Sequence, residues 1–352
     1  MSHHPALLVV FGITVLIMLL LDLGVFNKKS HAIGNKEALS WSIVWITISM
    51  IFSGVIYFTY NIEDSHTLAI EKFSQFQSAY WIEKALSMDN LFVFILVFKM
   101  FKVPAQNQHK ILFWGIIGAL VFRAIFIFAG VGLIKLTYLP EFSIGSWDFI
   151  LSSDAGNVAD FSTKTFFRPN AVLFLFGIFL LYAGVKSWFA HGSDEAEKDY
   201  TKSLGARIVH KFFKVTPEFD GDKFFTVKNG VRMATPMLVV IMVIELTDLL
   251  FAVDSIPAIF AIAPDDPYIL YSSNIFAVLG LRSLYFLLAN FIDSFSKLHY
   301  GLAIVLGFIG LKMIISPFYH IEASHSLIVV AGVLLISVIY SILSNKKAHH
   351  GN

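Results

Sequence analysis

Residues 83–90 read Glu-Lys-Ala-Leu-Ser-Met-Asp-Asn, and this acidic string lies inside a stretch that is otherwise apolar enough to cross a lipid bilayer. A second string, Glu-Leu-Thr-Asp-Leu-Leu-Phe-Ala-Val-Asp-Ser at residues 245–255, lies inside another such stretch. A carboxylate at membrane depth costs about 3 kcal/mol or more, so it is usually paired, bound to a cation or part of a transport path. Two such strings in one chain indicate a path for ions.

The composition of the chain fixes its class. Of its 352 residues 57% are hydrophobic and only 14% are charged, which is far more apolar than a soluble globular protein. A net charge of +1 gives no reason to expect a nucleic-acid partner. The absence of cysteine excludes disulfides, thiolate metal sites and dithiol redox chemistry in this chain.

Apolar runs of about 18–25 residues are what a helix needs to cross a hydrocarbon core about 30 Å thick. The first run has no basic leader and no small-residue cleavage site, so we interpret it as a retained span rather than a signal peptide. The sequence predicts an all-α polytopic membrane protein with about nine transmembrane helices in a single domain over residues 1–352. The runs are residues 5–26, 40–60, 77–100, 111–134, 169–190, 235–262, 270–291, 299–317 and 324–344.

Lysine and arginine accumulate in alternate loops, which the positive-inside rule assigns to the cytoplasm. The opposite loops are rich in aspartate and glutamate. The N-terminus is therefore predicted outside and the C-terminus inside. The residues on the basic side are Lys28, Lys29, Lys36, Lys99, Lys102, Lys110, Lys198, Lys202, Arg207, Lys211, Lys214, Lys223, Lys228, Arg232, Lys346 and Lys347.

Only one loop is expected to be large enough to hold structure outside the membrane. In the cytoplasmic loop, residues 191–234, the segment 224–231 predicts a hairpin because Asn-Gly accepts the positive φ angles of a type I′ turn. The charged run 194–202 is interpreted as a solvated loop or helix. The external loop 135–168 lacks the spacing of a calcium-binding loop and is given no function.

The sequence contains an internal repeat of three helices. Each copy carries two acids six residues apart, then an arginine one span later, then Gly-x-Lys in the third span. In spans 3–5 these are Glu83, Asp89 followed by Asn90, Arg123 and residues 183–186. In spans 6–8 they are Asp248, Asp254 followed by Ser255, Arg282 and residues 309–312.

Three spans are an odd number, so the second copy has to enter the membrane from the opposite face. We therefore predict a 3+3 inverted repeat, with one copy at residues 77–190 and the other at 235–317. Transporters built in this way bind substrate near the midplane at the repeat interface, often where a helix is broken. Pro257 predicts such a break, because it cannot donate to the carbonyl of Val253.

Oxygen ligands of this kind suit magnesium, calcium and manganese, whereas copper and zinc prefer thiols and imidazoles. Residues six apart on an ideal helix differ by about 240°, so either the helix unwinds or there are two binding stations. Glu245 and Asp248 share a face and form one candidate station. The full set of candidate metal ligands is Asp89, Asn90, Asp254, Asp248, Glu83, Glu245 and Ser255.

Each of these charged groups also has a purely structural interpretation. Glu83 with Lys84, or Asp89 with Arg123, would then be a buried ion pair that only fixes helix packing. Arg123, Arg282 and Lys84 are expected to balance the charge of the acids rather than to contact the substrate. For Lys186 and Lys312, near span ends, the expectation is snorkelling to the interface, with function left open. Asp22 is interpreted as an interfacial or capping group.

The acidic strings resemble the signatures of a known family. Glu-Lys-x-Leu-Ser-x-Asp-Asn at 83–90 and Glu-Leu-x-Asp-x-x-Phe-Ala-x-Asp-Ser-Ile-Pro-Ala at 245–258 are similar to those of the TerC integral membrane family, especially its Alx-type bacterial members. The segments 224–230, 234–236 and 318–321 also match. The resemblance covers nearly the whole chain, and the one departure is a longer external loop between spans four and five.

The resemblance implies a transporter of the LysE-like superfamily, with manganese export as the best-supported activity of the family. Other members are associated with tellurite resistance, redox modulation or membrane protein assembly. The preference for manganese over calcium rests on the family and not on the residues. The alternative function is therefore an assembly or stress-resistance factor, of the tellurite type, whose buried acids are structural.

We expect neither an enzyme nor a prosthetic group, because the sequence has no nucleophile and base pair and no cofactor motif. Moving a cation outward against an inside-negative potential costs about 2.3 kcal/mol per charge per 100 mV. No nucleotide-binding motif is present to supply that energy. We therefore expect antiport, with the proton favoured over sodium as the counter-ion, and Glu245 or Glu83 as the proton carrier.

Overall fold

The computed structural model describes residues 5–22, 34–145, 147–150, 165–189, 199–228, 230–291, 298–319 and 321–350. These ranges are mostly helical, and five short strands lie in the loops. The helices are α1 (Pro5–Asp22), α2 (Asn35–Glu63), α3 (His66–Met100), α4 (Ala105–Leu136), α5 (Ala171–Phe189), α6 (Leu204–Phe212), α7 (Pro236–Phe260), α8 (Pro267–Leu279), α9 (Leu281–Phe291), α10 (Leu298–Ile315) and α11 (Ala323–His350). The strands are β1 (Phe142–Ile144), β2 (Trp147–Ile150), β3 (Thr165–Phe167), β4 (Phe225–Lys228) and β5 (Val231–Ala234).

Each predicted span falls on a helix, or on the bent pair α8 and α9. Within the described ranges, six helices are long and apolar enough to cross a membrane, and the bent pair gives up to seven. The others are α3, which carries polar and charged residues along much of its length, and α10, which is short. The structure thus confirms a helical chain with several membrane-span candidates, while nine spans and their orientation stay predictions.

The helix ends follow from local sequence. The Ser65 side chain accepts a hydrogen bond from the backbone N–H of Leu68 at 3.2 Å and so caps the start of α3. Asp266 caps α8 in the same way through the N–H of Ile269 at 3.1 Å. Pro236 and Pro267 begin α7 and α8, where a proline sacrifices no helical hydrogen bond.

The predicted break at Pro257 is wrong. Helix α7 continues through this proline to Phe260, so the chain does not unwind beside Asp254. A helix tolerates an internal proline close to its end because few hydrogen bonds follow it. The sequence left two alternatives for the acids of α7: an unwound helix or two separate binding stations. Because the helix is continuous, the two stations remain.

A break does occur one span later, between α8 and α9, which meet at 40°. The ammonium of Lys84 on α3 donates to the carbonyl oxygen of Ala277, in the last turn of α8, at 3.2 Å. Carbonyls at the end of a helix lack a helical partner, and a cation there is also favoured by the helix dipole. Gly280 stands at the bend, where a Cβ would lie 2.7 Å from Lys84 Nζ.

Helices α5 and α10 pack against each other through glycines. A Cβ on Gly184 would lie 2.9 Å from the carbonyl oxygen of Ala303 and 3.0 Å from the backbone nitrogen of Gly307. A Cβ on Gly310 would lie 2.7 Å from the carbonyl oxygen of Gly177 and 2.9 Å from the backbone nitrogen of Leu181. The backbones therefore approach closely at two places, through the same pair of atom types each time.

Helix α3 contacts α2, α7, α8 and α11, and α4 contacts α7 and α8, so the acidic strings lie where α3, α4, α7 and α8 meet. Lys72, near the start of α3, forms a 2.7 Å ion pair with Asp266, which follows the end of α7. The start of α3 therefore lies beside the end of α7, and these two helices run in opposite directions.

The hairpin predicted in the loop 191–234 is confirmed. β4 and β5 are antiparallel, with Lys228 opposite Val231 and Gly230 at a φ of +74°, while Asn229 lies outside the described residues. The charged run is described only from residue 199, where Tyr200–Lys202 forms a short 3-10 helix. The three-stranded sheet in the external loop was not predicted: β2 pairs antiparallel with β1 and parallel with β3.

Candidate functional site

The centre of the site is a buried network around Glu83. One carboxylate oxygen of Glu83 accepts hydrogen bonds from Arg123 and, at 2.9 Å, from the hydroxyl of Ser87. The other accepts from the side-chain amide of Asn274 at 3.0 Å. Glu83, Arg123 and Asn274 are all fully buried. Both oxygens of Glu83 are thus engaged by protein groups, which is how a buried charge is normally stabilised.

Asp248 of α7 shares the same arginine more loosely. Its Oδ1 lies 3.6 Å from Nη2 of Arg123, beyond hydrogen-bond distance, and the amide of Asn90 on α3 faces the same carboxylate. Within the described residues, Nη2 and Nε of Arg123 have no hydrogen-bond partner. With both carboxylates ionised, the two acids and one arginine carry a net charge of −1, which attracts a cation.

Arg123 lies between Glu83 and Asp248, as a charge-balancing group would, and that role stays a prediction. Lys84 has a different contact from the one considered: its ammonium binds the end of α8 at Ala277, as described above. The alternative pairing of Asp89 with Arg123 is not described, because the Asp89 side chain lies outside the described part of the chain.

Arg282 pairs with an acid that the sequence analysis did not place in the site. Its Nε lies 3.1 Å from Oδ1 of Asp22, at the end of α1. Asp22 is only 3% exposed, and this ion pair was not part of its interpretation as an interfacial or capping group. Arg282 and Asp248 still line one small cavity of about 10 Å³, about the size of one water molecule.

Glu245 lies one turn before Asp248 and faces α4. A Cβ on Gly118 would collide with its carboxylate, so a larger residue at position 118 would force the Glu245 side chain to move. Its Oε2 atom is buried and has no hydrogen-bond partner within the described ranges. The hydroxyl of Ser255, 2% exposed, is likewise unpartnered there. Unpaired buried oxygens of this kind are costly, which points to a partner such as a proton, a water or an ion.

The backbones of Asp89 and Asp254 lie in α3 and α7, but their side chains lie outside the described part of the structure. Among the described residues, no group of three acidic, histidine or cysteine side chains converges as a metal site. The structure therefore brings together Glu83, Asp248, Arg123, Asn90 and Asn274, and the complete ligand set stays a prediction.

A cavity of about 1250 Å³, here called the vestibule, lies beyond the end of α7. It is lined by the last residues of α7, by the loop 261–266 that holds Asp265 and Asp266, and by Glu71 and Glu322. Tyr138 donates to Asp265 at 3.3 Å, and burial together with Asp265 raises the pKa of the Tyr138 hydroxyl. The vestibule thus holds four carboxylates in a lining that is otherwise largely apolar.

Lys312 lines the vestibule and is not a snorkelling residue. It is 7% exposed, and its ammonium donates to the hydroxyl of Ser326 on α11 at 2.8 Å. Lys186, at the corresponding place in the first repeat, is exposed, as the sequence analysis expected. The difference arises because α11 covers α10 at this level, a contact that local sequence near Lys312 does not reveal.

Sequence reasoning missed Asn274, Ser87 and Asp22. Asn274 follows two serines in an otherwise apolar span, and amides inside a membrane helix usually hydrogen-bond to another helix. That signal was available. Ser87 lies one turn after Glu83, which is within reach of an i, i+4 hydrogen bond. Asp22 gave no comparable signal, since its arginine partner lies about 260 residues away in the chain.

Comparison with known proteins gives one family. Residues 68–349 match the profile described as "Integral membrane protein TerC family". The chain is 38% identical over 346 residues to an uncharacterized membrane protein of Myxococcus xanthus, an alignment covering 98% of this chain and 94% of the relative. It is 39% identical over 338 residues to the protein named "Putative membrane-bound redox modulator Alx" in Escherichia coli K12, covering 96% and 94%. No solved structure matches.

Proposed function

Because this chain belongs to the integral membrane protein TerC family, we propose that it is a multi-pass transporter exporting a divalent cation, with manganese as the cargo. The observation that carries this proposal is the net negative, buried cluster of Glu83, Asp248 and Arg123 between α3, α4 and α7. A cluster with unbalanced charge inside an apolar helix bundle is expensive unless a cation completes it.

The geometry favours Asp248 over Glu83 as a cation ligand. Both oxygens of Glu83 are occupied by Arg123, Ser87 and Asn274, whereas Asp248 has the Asn90 amide and a looser pair with Arg123. A cation that binds Asp248 therefore displaces fewer hydrogen bonds than a cation that binds Glu83. In this proposal Glu83 positions Arg123, Asp248 and Asn90 hold the metal at one station, and Asp89 and Asp254 bind it before and after that station.

The acids of α7 form a series towards the vestibule. Asp254 lies six residues beyond Asp248, about 9 Å along the helix, and α7 ends six residues later at the vestibule. Because α3 runs in the opposite direction to α7, Asp89 lies farther from the vestibule than Glu83 does. We therefore propose that the cation passes from the Asp89 side to Asp254 and leaves through the vestibule.

The contacts of α5 with α10 support the inverted repeat. The repeat aligns Gly184 with Gly310, an offset of 126 residues, and the same offset relates Gly177 to Ala303 and Leu181 to Gly307. The contact of Gly184 with the Ala303 oxygen and Gly307 nitrogen then has as its counterpart the contact of Gly310 with the Gly177 oxygen and Leu181 nitrogen. A pseudo-two-fold axis between the two helices would produce this pattern.

Antiport with protons is the proposed coupling, in the inner membrane of a bacterium. Glu245 is the proposed proton carrier because its buried Oε2 lacks a partner within the described ranges and Asp248 lies one turn away. Replacing it with glutamine should weaken proton counterflow that a pH-sensitive dye records during manganese movement. Transport that follows sodium and ignores a collapsed pH gradient would overturn the proton version.

Purified protein in proteoliposomes tests the function itself. Manganese flux should be present with the wild type and abolished by Asp89→Asn and by Asp254→Asn, with normal protein incorporation. Glu218→Gln is the matched control, because this carboxylate is exposed and pairs only distantly with Lys228, at 3.9 Å. Normal flux in both site variants would overturn the proposal.

The second candidate is a membrane protein assembly or stress-resistance factor with structural acids. The saturation of Glu83 by Arg123, Ser87 and Asn274 is the observation that favours it. Thiol redox work is not proposed, because the chain has no cysteine. A factor of this kind would give no manganese flux as the only protein in a vesicle, whereas a transporter needs no partner there.

A further inference from the structure

Helix α6 is held beside the beginning of a membrane helix. A Cβ on Gly205 would lie 2.6 Å from the carbonyl oxygen of Met242, so α6 packs directly on the backbone of α7. Met242 lies six residues, or about 9 Å, into α7. Helix α7 has 25 residues and is about 37 Å long, more than the hydrocarbon core of about 30 Å. The first turns of α7, and α6 with them, therefore lie near the headgroups.

The two faces of α6 differ sharply. Gly205, Ala206 and Val209 are buried against α7. The opposite face exposes Arg207 and Lys211, which are one turn apart, and ends in Phe212, 71% exposed. A helix that combines exposed cations with exposed large apolar side chains is typical of a membrane interface.

The chain beyond α6 extends this surface. Phe213 is exposed and its ring lies 5.3 Å from that of Phe225 on β4. The guanidinium of Arg232 on β5 lies 4.4 Å from the same Phe225 ring. The backbone of Lys214 accepts a hydrogen bond from the N–H of Ala234 at 2.8 Å, which fixes this segment to β5. The segment after α6 and the hairpin of β4 and β5 thus form one folded unit, which includes Phe213, Lys214, Phe225 and Arg232.

Four cations of this unit lack a carboxylate partner within the described residues: Arg207, Lys211, Lys214 and Arg232. The nearby acids lie beside other lysines. Asp222 pairs with Lys110 at 2.8 Å, Asp220 with Lys223 at 3.3 Å and Glu218 with Lys228 at 3.9 Å. The excess positive charge is therefore concentrated beside Phe212 and Phe213.

We propose that this basic-apolar surface, defined by Arg207, Lys211, Phe212, Phe213, Lys214 and Arg232, binds the anionic phospholipid headgroups of the bilayer that the protein spans. The cations match the phosphate charge, at about 1 kcal/mol for each lysine or arginine near an anionic surface. The phenylalanines reach the boundary of the acyl chains. The depth of α6 selects the bilayer as the occupant, and the proposal is independent of the transported ion.

Site-directed spin labelling tests the proposal with the full chain, since the absence of cysteine makes a single label unambiguous. Phe212→Cys carries a nitroxide, in vesicles of phosphatidylcholine alone or mixed with phosphatidylglycerol. With phosphatidylglycerol we expect several-fold lower collision with a water-soluble nickel complex and higher collision with oxygen. A label at Glu218→Cys should stay accessible to nickel in both.

The charge requirement is tested by a second set of variants. Changing Arg207, Lys211, Lys214 and Arg232 together to glutamine should remove the response to phosphatidylglycerol. Changing Lys110, Lys223 and Lys228, which have carboxylate partners, is the matched control and should leave it intact. The proposal is overturned if the label at position 212 has the same accessibility to nickel in both kinds of vesicle, whether exposed in both or buried in both. It is also overturned if the fourfold variant still responds to phosphatidylglycerol.

Discussion

Arg123 and Arg282 occupy corresponding positions in the two predicted repeats, yet the structure holds them in different ways. Arg123 is fully buried and binds Glu83, Asp248 and Asn274, all on helices of the two repeats. Arg282 is partly exposed and binds Asp22 of α1, which lies outside both repeats. The first arginine ties the repeats to each other, whereas the second ties one repeat to a helix that the other lacks.

Pseudosymmetry of the sequence therefore does not require the two arginines to form equivalent ion pairs. Arg282 lines the same small cavity as Asp248, the acid that its repeat position predicts, but Asp22 is its hydrogen-bonding partner. The carboxylate that pairs with Arg282 lies on α1, before the predicted repeats. Asp248 is thereby left with one loose cation partner among the described residues, as a cation site requires.

The largest expected effect is that of Arg123→Gln. The change leaves Glu83 and Asp248 buried without their common cation, and breaking a buried pair in this way costs about 3–5 kcal/mol. Thermal unfolding of the purified protein in detergent should show a large loss of stability. Adding Glu83→Gln removes the orphaned charge and should restore part of that loss. Wild-type stability in the single variant would contradict the central place of Arg123.

The pairing of Arg282 gives a smaller effect that separates the two arginines. A double-mutant cycle of Arg282→Gln with Asp22→Asn should give a coupling energy of about 1–2 kcal/mol in unfolding. The parallel cycle of Arg282→Gln with Asp248→Asn should give a smaller value, because those two groups only line the same cavity. The reverse order of the two coupling energies would contradict the assigned pairing.

The glycines of α5 and α10 test the symmetry that the arginines break. Gly184→Ala and Gly310→Ala each place a Cβ less than 3 Å from a backbone oxygen. Each change should lower the free energy of unfolding by about 1–3 kcal/mol, and the two losses should be similar. Gly307→Ala is the control, because nothing lies within 4 Å of its Cβ position. A large loss from one of the two and none from the other would count against the pseudo-two-fold axis.

The smallest effect comes from an exposed pair on the same helix as Arg123. A hydrogen bond and the charge of Lys110 hold the pKa of Asp222 below its usual range. Since the folded pKa is lowered, the pair stabilises above pH of about 4 and this contribution is lost as pH falls further. Lys110→Gln should lower stability by less than about 1 kcal/mol at pH 7, and by still less at pH 3. An equal loss at both pH values would show that Lys110 acts through packing.

Much of the helical fold could be predicted because apolar length is a local property. The hairpin at 225–234 followed from its Asn-Gly turn, and the central arginine followed from the repeat. The continuity of α7 through Pro257 could not be predicted, since a proline near a helix end is tolerated according to packing. The bend at Gly280 depends on a contact with Lys84, almost 200 residues earlier.

The candidate site was predicted in part, for a related reason. The acids were evident from their cost in an apolar span, so Glu83 and Asp248 were identified without a structure. Their partners were less evident: Asn274 and Asp22 lie on other helices and become partners only through tertiary packing. The burial of Lys312 has the same origin, since α11 covers it.

Anomalous X-ray diffraction from crystals grown with manganese tests the central claim most directly. Data collected on both sides of the manganese absorption edge identify the element without reference to any assumed ligand. We expect a manganese peak between α3 and α7, at coordination distance from carboxylate oxygens of Asp248 and of Asp89 or Asp254. Crystals with no peak between these helices, or with manganese only in the vestibule, would contradict it.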